Sequence, residues 1–163
     1  MNKNVTILGV FLIIVDQLLK IIVSSYLPLG ESIKVIKNFF YITYVNNYGG
    51  AWSIFNNHVI FLVVITIIVL FMLIKYMGKF KNNIRNAVAF GFLYGGIFGN
   101  LIDRVCYGYV KDFLDFKIFG YNFPVFNFAD IAIFIGVVLM VIAIIKGEDK
   151  NEVKSKWRRY KIR

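Results

Sequence analysis

The chain holds a single cysteine, Cys106, and a single histidine, His58. One cysteine cannot form an internal disulfide, and one of each is too few for a zinc site of the usual Cys/His type. With no histidine near it in sequence, Cys106 reads as an inert thiol rather than a nucleophile. Acids are scarce as well: nine Asp and Glu stand against nineteen Lys and Arg, a formal net charge of +10. There is no long repeat, no low-complexity stretch and no segment that reads as a soluble domain. What the chain has in abundance is apolar surface. Of its 163 residues 59% are hydrophobic, and the mean hydropathy is +0.69. A soluble domain of this length could not bury that much, since apolar usage is ordinarily about 45–50%. The composition predicts an integral membrane protein, one domain over residues 1–163.

Four segments are expected to cross a bilayer, for which about 20 residues are needed. They run roughly over Val5–Val23, Val59–Ile74, Asn86–Ile102 and Phe128–Ile145. The run from Val5 to Val15 imitates a secretory signal, but it lacks an Ala-x-Ala site and continues past Asp16-Gln17. It reads as a retained first membrane helix. Cations set the orientation. Eight of the nineteen fall between Lys146 and Arg163, and Lys75, Lys79, Lys81 and Arg85 share one loop. In a soluble protein this balance would suggest nucleic acid; here the positive-inside rule accounts for it, and no nucleic-acid partner is expected. Both termini are expected in the cytoplasm, with residues 147–163 a basic tail on anionic lipid. About Ser24–Asn57 and Val105–Val125 then lie outside.

The outer stretches are not loose loops. Phe39-Phe40-Tyr41-Ile42-Thr43-Tyr44-Val45 is aromatic and β-branched and ends at Asn46-Asn47-Tyr48-Gly49-Gly50, a strand-and-turn signature. Ser32-Ile33-Lys34-Val35-Ile36 is a plausible partner strand, and Phe119-Gly120-Tyr121-Asn122 reads as the turn of a short hairpin. The expected fold class is an all-α membrane protein of four helices with a small β-sheet on the outer face.

Several constellations could carry chemistry. Gly91, Gly95 and Gly99 recur every four residues, a face that another helix can approach closely. That stripe continues to Asp103, and its neighbour runs Gly96, Asn100, Arg104. Glycine packing plus an ordinary interfacial Asp–Arg pair is the bland alternative. Asp16 and Lys20, four apart, can pair within the first helix. That pair reads first as support for a polar site, with an ion pathway as the other reading. Asn127 is a good N-cap, which puts Asp130 in the first turn of the last helix, where free N–H groups favour a carboxylate. Asp130 alone could be no more than a capping acid. Asp112 has no such dull explanation. Acids near a bilayer are costly and point to function. Two that converge share a proton, the arrangement with which aspartic proteases prepare water. Two rivals remain: a small transporter using Asp16, Asp103 and Asp130, and a non-catalytic assembly factor using the glycine face.

Five pieces of the chain resemble the lipoprotein signal peptidases of bacteria, also called signal peptidase II. They are Asp16-Gln17-Leu18-Leu19-Lys20, Asn47-Tyr48-Gly49-Gly50-Ala51-Trp52, Gly95 through Arg104, Val110-Lys111-Asp112-Phe113 and Phe126-Asn127-Phe128-Ala129-Asp130. In this order, and so placed relative to four spans, they are specific, and they cover the chain to about Lys146. The resemblance implies an intramembrane aspartic endopeptidase that needs no metal or cofactor. It implies a diacylglyceryl prolipoprotein substrate cut just before its lipidated cysteine, and sensitivity to the cyclic peptide globomycin. The family's catalytic aspartates fall on Asp112 and Asp130. Supporting or substrate-binding positions fall on Asp16, Lys20, Asn47, Gly99, Asn100, Asp103, Arg104, Asn127 and Ala129. Gly50, Trp52 and Ile131 depart from the usual pattern, which bears on pocket shape. Phe113, Phe116, Phe126 and Phe128 are expected to line the substrate entry, and a monomer is expected.

Overall fold

A computed structural model describes residues 3–50, 55 and 58–149. The basic stretch from Lys150 onward, Ala51 and Trp52 lie outside the described residues. In chain order the elements are α1 (Lys3–Tyr26), β1 (Ser32–Ile36), β2 (Phe40–Asn47), α2 (Val59–Met77), α3 (Ile84–Tyr107), β3 (Val110–Ile118), β4 (Tyr121–Asn122) and α4 (Phe128–Ile145). All four expected spans are helices. Among the described residues three of them, α1, α2 and α4, are long and apolar enough to cross a membrane.

The exception, α3, is the central helix. It packs against α1, α4 and α2, so its neighbours are largely protein rather than lipid. It can therefore carry Asn86, Asn100 and Asp103 buried, which a lipid-facing helix could not. Its ends are well marked: the Asn83 side chain accepts from the Asn86 N–H, and Gly108 closes the helix in the left-handed conformation (φ 76°). By contrast α2 buries only Leu70 and leaves an apolar surface exposed nearly all round.

The glycines decide how close the helices come. A Cβ on Gly91, Gly95 or Gly99 would fall within 2.8 Å of Leu8, 2.6 Å of Leu12 and 2.6 Å of Asp16 respectively. Those contacts follow each other at the same four-residue spacing on α1. Gly96 faces the other way: a Cβ there would run into the Ala129 carbonyl of α4. The expected small face is real and receives α1, while the neighbouring stripe receives α4 through Gly96.

The four strands form one antiparallel sheet in the order β1-β2-β3-β4. β1 and β2 pair as expected, Ser32 opposite Thr43. β3 pairs with β2 through Val45↔Asp112 and Asn47↔Val110. The hairpin turn is Phe119-Gly120, both at positive φ (49° and 81°), between Ile118 and Tyr121.

Candidate active site

β3 is the first arm of the hairpin expected at Phe119-Gly120, but it reaches back to Val110, further than the sequence marks, and so places the first acid. Along Val110-Lys111-Asp112-Phe113-Leu114-Asp115-Phe116-Lys117-Ile118 apolar residues alternate, with Val110, Leu114, Phe116 and Ile118 on one face. Asp112 takes a position that this alternation reserves for an apolar side chain, and it is 2% exposed. Lys111 faces away. It packs over the Tyr107 ring, 4.3 Å from the centroid, and donates to Ser24 Oγ at 3.4 Å.

The second acid begins α4. The Asn127 side chain accepts from the Asp130 N–H (3.0 Å), and Asp130 Oδ2 accepts from the Asn127 N–H (3.1 Å), a reciprocal capping box. The remaining end of Asn127 reaches the other acid: its Nδ2 donates to Asp112 Oδ1 at 2.6 Å. One wholly buried asparagine thus touches both carboxylates. Asn47 Nδ2 donates to Asp112 Oδ2 (2.8 Å), and Asn100 Nδ2 donates to Asp130 Oδ1 (2.8 Å).

Behind this pair lies a buried charged layer. Lys20 Nζ sits 2.8 Å from Asp16 Oδ2 and 3.0 Å from Asp103 Oδ2, all three side chains no more than 1% exposed. Its third contact, 2.9 Å, goes to Asn100 Oδ1, which also accepts from Asn127 Nδ2 at 3.0 Å. With its oxygen so occupied, Asn100 can only turn its N–H₂ toward Asp130. Asp103 therefore pairs with Lys20 and not with its neighbour Arg104, as a simple interfacial pair would have it. Its Oδ2 also accepts from the Lys111 N–H at 3.1 Å, tying α3 to β3. Gln17, not singled out from the sequence, donates to Asp103 Oδ1 (3.0 Å) and the Gly99 carbonyl (3.1 Å). A second polar residue beside Asp16 in an apolar run was the signal for it.

Asp112, Asp130, Asn47, Asn100 and Arg104 all line one cleft of about 660 Å³. Its apolar wall comes from Val45, Phe123, Pro124, Phe126, Ile133, Phe134 and Val137. Of the four phenylalanines expected at the entry only Phe126 is there. Phe113 is buried at 4% exposure, and Phe116 is stacked between Phe40 and Phe126 (4.5 and 5.7 Å between centroids). Phe128, first residue of α4, is not among the lining residues. Gly99 and Ala129 line no part of the cleft; they let α1, α3 and α4 meet closely behind it.

Burial, and after it the charge of Asp130, push the Asp112 carboxyl up to about 7, against the opposing pull of the Asn47 and Asn127 amides. Arg104, half-buried in α3 at the cleft wall, acts electrostatically on Asp130, Asp112 and Asp103. No group of three or more metal-ligating side chains occurs among the described residues.

Comparison with known proteins decides the family. The model of signal peptidase (SPase) II matches residues 8–146. The chain belongs to the signal peptidase II family. It is 41% identical over 150 residues to a lipoprotein signal peptidase of Staphylococcus aureus strain MRSA252, covering 91% of this chain and 92% of the relative. A second, from strain JH9, is 40% identical over the same share. Two solved structures described as a bacterial membrane enzyme, at 2.3 and 1.9 Å resolution, superpose with TM-scores of 0.81 and 0.79 at 40% identity. Each covers 90% of this chain, and this chain covers 90% and 95% of them. Signal peptidase II membership and the apolar helices make this a multi-pass bacterial membrane protein and a protease.

Proposed function

We propose that this chain is an intramembrane aspartic endopeptidase in which Asp112 and Asp130 are the acid–base pair. As a member of its family it removes signal peptides from prolipoproteins. The finer reading is that the substrate cysteine already carries diacylglycerol and that the cut falls just before it. The observation that carries the aspartic reading is Asn127, whose side chain holds Asp112 while its backbone N–H holds Asp130. Two acids tethered to one residue at the wall of one cleft repel when both are charged, so they keep one proton between them.

The chemistry follows from that proton. Asp130, in the first turn of α4 and accepting from the Asn127 N–H and the Asn100 amide, is the base, and Asp112, whose carboxyl burial raises, is the holder. Asp130 takes a proton from water as its oxygen attacks the scissile carbonyl. Asp112 hydrogen-bonds the carbonyl oxygen and stabilises the charge that develops on it. Collapse of the tetrahedral intermediate breaks the C–N bond, and the proton held by Asp130 passes to the leaving amine. Asn47 and Asn100 keep each carboxylate turned into the cleft. Arg104 contributes positive charge to the wall, and the apolar side of α4 fits a lipidated substrate that cannot leave the bilayer.

All four helices cross the membrane, both termini are cytoplasmic, and the sheet forms a cradle on the outer face beside the cleft. The chain acts as a monomeric single-domain enzyme, with residues 147–163 on anionic lipid.

The test is cleavage of a diacylglyceryl prolipoprotein by purified protein in detergent, read as a gel shift. Asp112→Asn and Asp130→Asn should each abolish cleavage while gel filtration shows the same folded species. Ordinary turnover by either variant refutes the pair.

A further inference from the structure

About 20 Å from the cleft, measured along α3 from Asn100 back to Asn86, a second cavity of about 380 Å³ opens at the cationic end of the bundle. Val5 of α1, Met77 of α2 and Phe90 of α3 form its apolar walls, with Phe80 between them. Its polar side includes Lys81 and Asn86. Here Lys75, Lys79, Lys81 and Arg85 face only Glu148 and Asp149 among the acids of the adjoining described segments, and Arg85 is already paired with Glu148.

Asn86 indicates what the cavity would take. It is 3% exposed, and its Nδ2 donates to the Lys81 carbonyl at 2.9 Å and is shared with the Glu148 carboxylate, whose charge Arg85 offsets, which fixes the way the amide faces. Its Oδ1 then has no hydrogen-bond partner. A buried acceptor without a donor is costly, so a ligand that brings a hydroxyl is favoured there. Lys81 favours negative charge within reach of the same site, and the walls favour hydrocarbon. A volume of this size suits a headgroup and the first carbons of its chains rather than a whole lipid.

We propose that this cavity is a binding site for a phospholipid with an anionic, hydroxyl-bearing headgroup, phosphatidylglycerol in the bacterial case. The phosphate is met by Lys81, a headgroup hydroxyl donates to Asn86 Oδ1, and the glycerol backbone lies against Met77, Phe80 and Val5. The site is separate from the cleft and binds lipid as a resident, not as substrate.

Native mass spectrometry of the full chain, titrated in detergent with phosphatidylglycerol or phosphatidylcholine, tests it. Phosphatidylglycerol should bind at least about fivefold more tightly, the scale of one basic contact at a membrane surface. Lys81→Gln should remove most of that preference and leave phosphatidylcholine binding and prolipoprotein cleavage in detergent unchanged. Equal binding of the two lipids overturns the site. A preference that survives Lys81→Gln overturns it too, and assigns the selectivity to the basic stretch beyond Asp149. Displacement of the lipid by inorganic phosphate alone, at equal concentration, reduces the cavity to an anion site and overturns the lipid reading.

Discussion

Asp16 Oδ1 accepts a hydrogen bond from the backbone N–H of Ala129 at 2.9 Å, across 113 positions of sequence. The bond joins the middle of α1 to the first turn of α4, the turn that carries Asp130. The charged layer behind the cleft is thus fastened directly to one of the two acids' supports. Among the described residues Lys20 is the cation that bridges that layer, set between Asp16 and Asp103. Lys20→Met should leave two buried carboxylates without their counter-charge. A loss of about 3–5 kcal/mol of stability is expected, with cleavage falling at least about tenfold because Asn100 loses the contact that orients it. Thermal unfolding in detergent checks the first part. Lys20→Arg, which keeps the charge, should recover part of both.

Gly99 packs where α1 and α4 both press on α3. A Cβ there would lie 2.6 Å from Asp16 Oδ2 and 3.3 Å from the Ala129 Cβ. Gly99→Ala should therefore cost about 1–3 kcal/mol by overpacking and cut kcat by disturbing both Asp16 and the start of α4. Gly78→Ala is the control, since its nearest neighbour would be the Lys75 carbonyl at 3.9 Å. Equal cleavage by the two variants would contradict the close-packed seam.

Asn127 has two duties that substitution can separate. Asn127→Ala removes both the cap and the Asp112 contact, for about 1–2 kcal/mol of stability and near-complete loss of cleavage. Asn127→Asp keeps an oxygen for the Asp130 N–H but turns a third carboxylate on Asp112. Its melting temperature should lie above that of the Ala variant while its kcat stays as low. Full activity in Asn127→Asp would mean that the amide matters only as a cap.

The raised Asp112 carboxyl gives pH a definite sign. Between its ordinary value of 3.8 and about 7 the folded protein holds a proton that the unfolded chain has released. Stability then falls as pH rises through that window. The melting temperature of the parent protein should drop more steeply from about pH 5 to about pH 8 than that of Asp112→Asn, whatever their absolute values. The parent's kcat/KM should also decline above about pH 7 as the shared proton is lost. Parallel melting profiles would contradict the shift.

Much of this architecture could be read from residues alone, and the physics says which parts. Long apolar runs announce α1, α2 and α4 because lipid demands apolarity all round. Aromatic and β-branched runs announce β1 and β2. The expected third span, Asn86–Ile102, falls short of α3 because the helix continues through Asp103 and Arg104 to Tyr107, protected by protein contacts that a local pattern does not reveal. The hairpin turn announces the end of β3, but its start at Val110 is hidden because the acid at Asp112 breaks the alternation, and that break is the functional feature itself. Asp112, Asp130 and Asn127 stood out as polar residues in costly places. Gln17 did not, and neither did the Phe123 and Phe134 walls, which depend on how the chain folds back after β4.

The glycine seam has one more consequence. Close contact between the α3 glycines and Leu8, Leu12 and Asp16 closes the side of the bundle where α1 meets α3, and no described residue of α1 or α2 borders the cleft. The two flanks of the helix bundle are therefore unlike, a close-packed seam between α1 and α3 on one and the open cleft against α4 on the other.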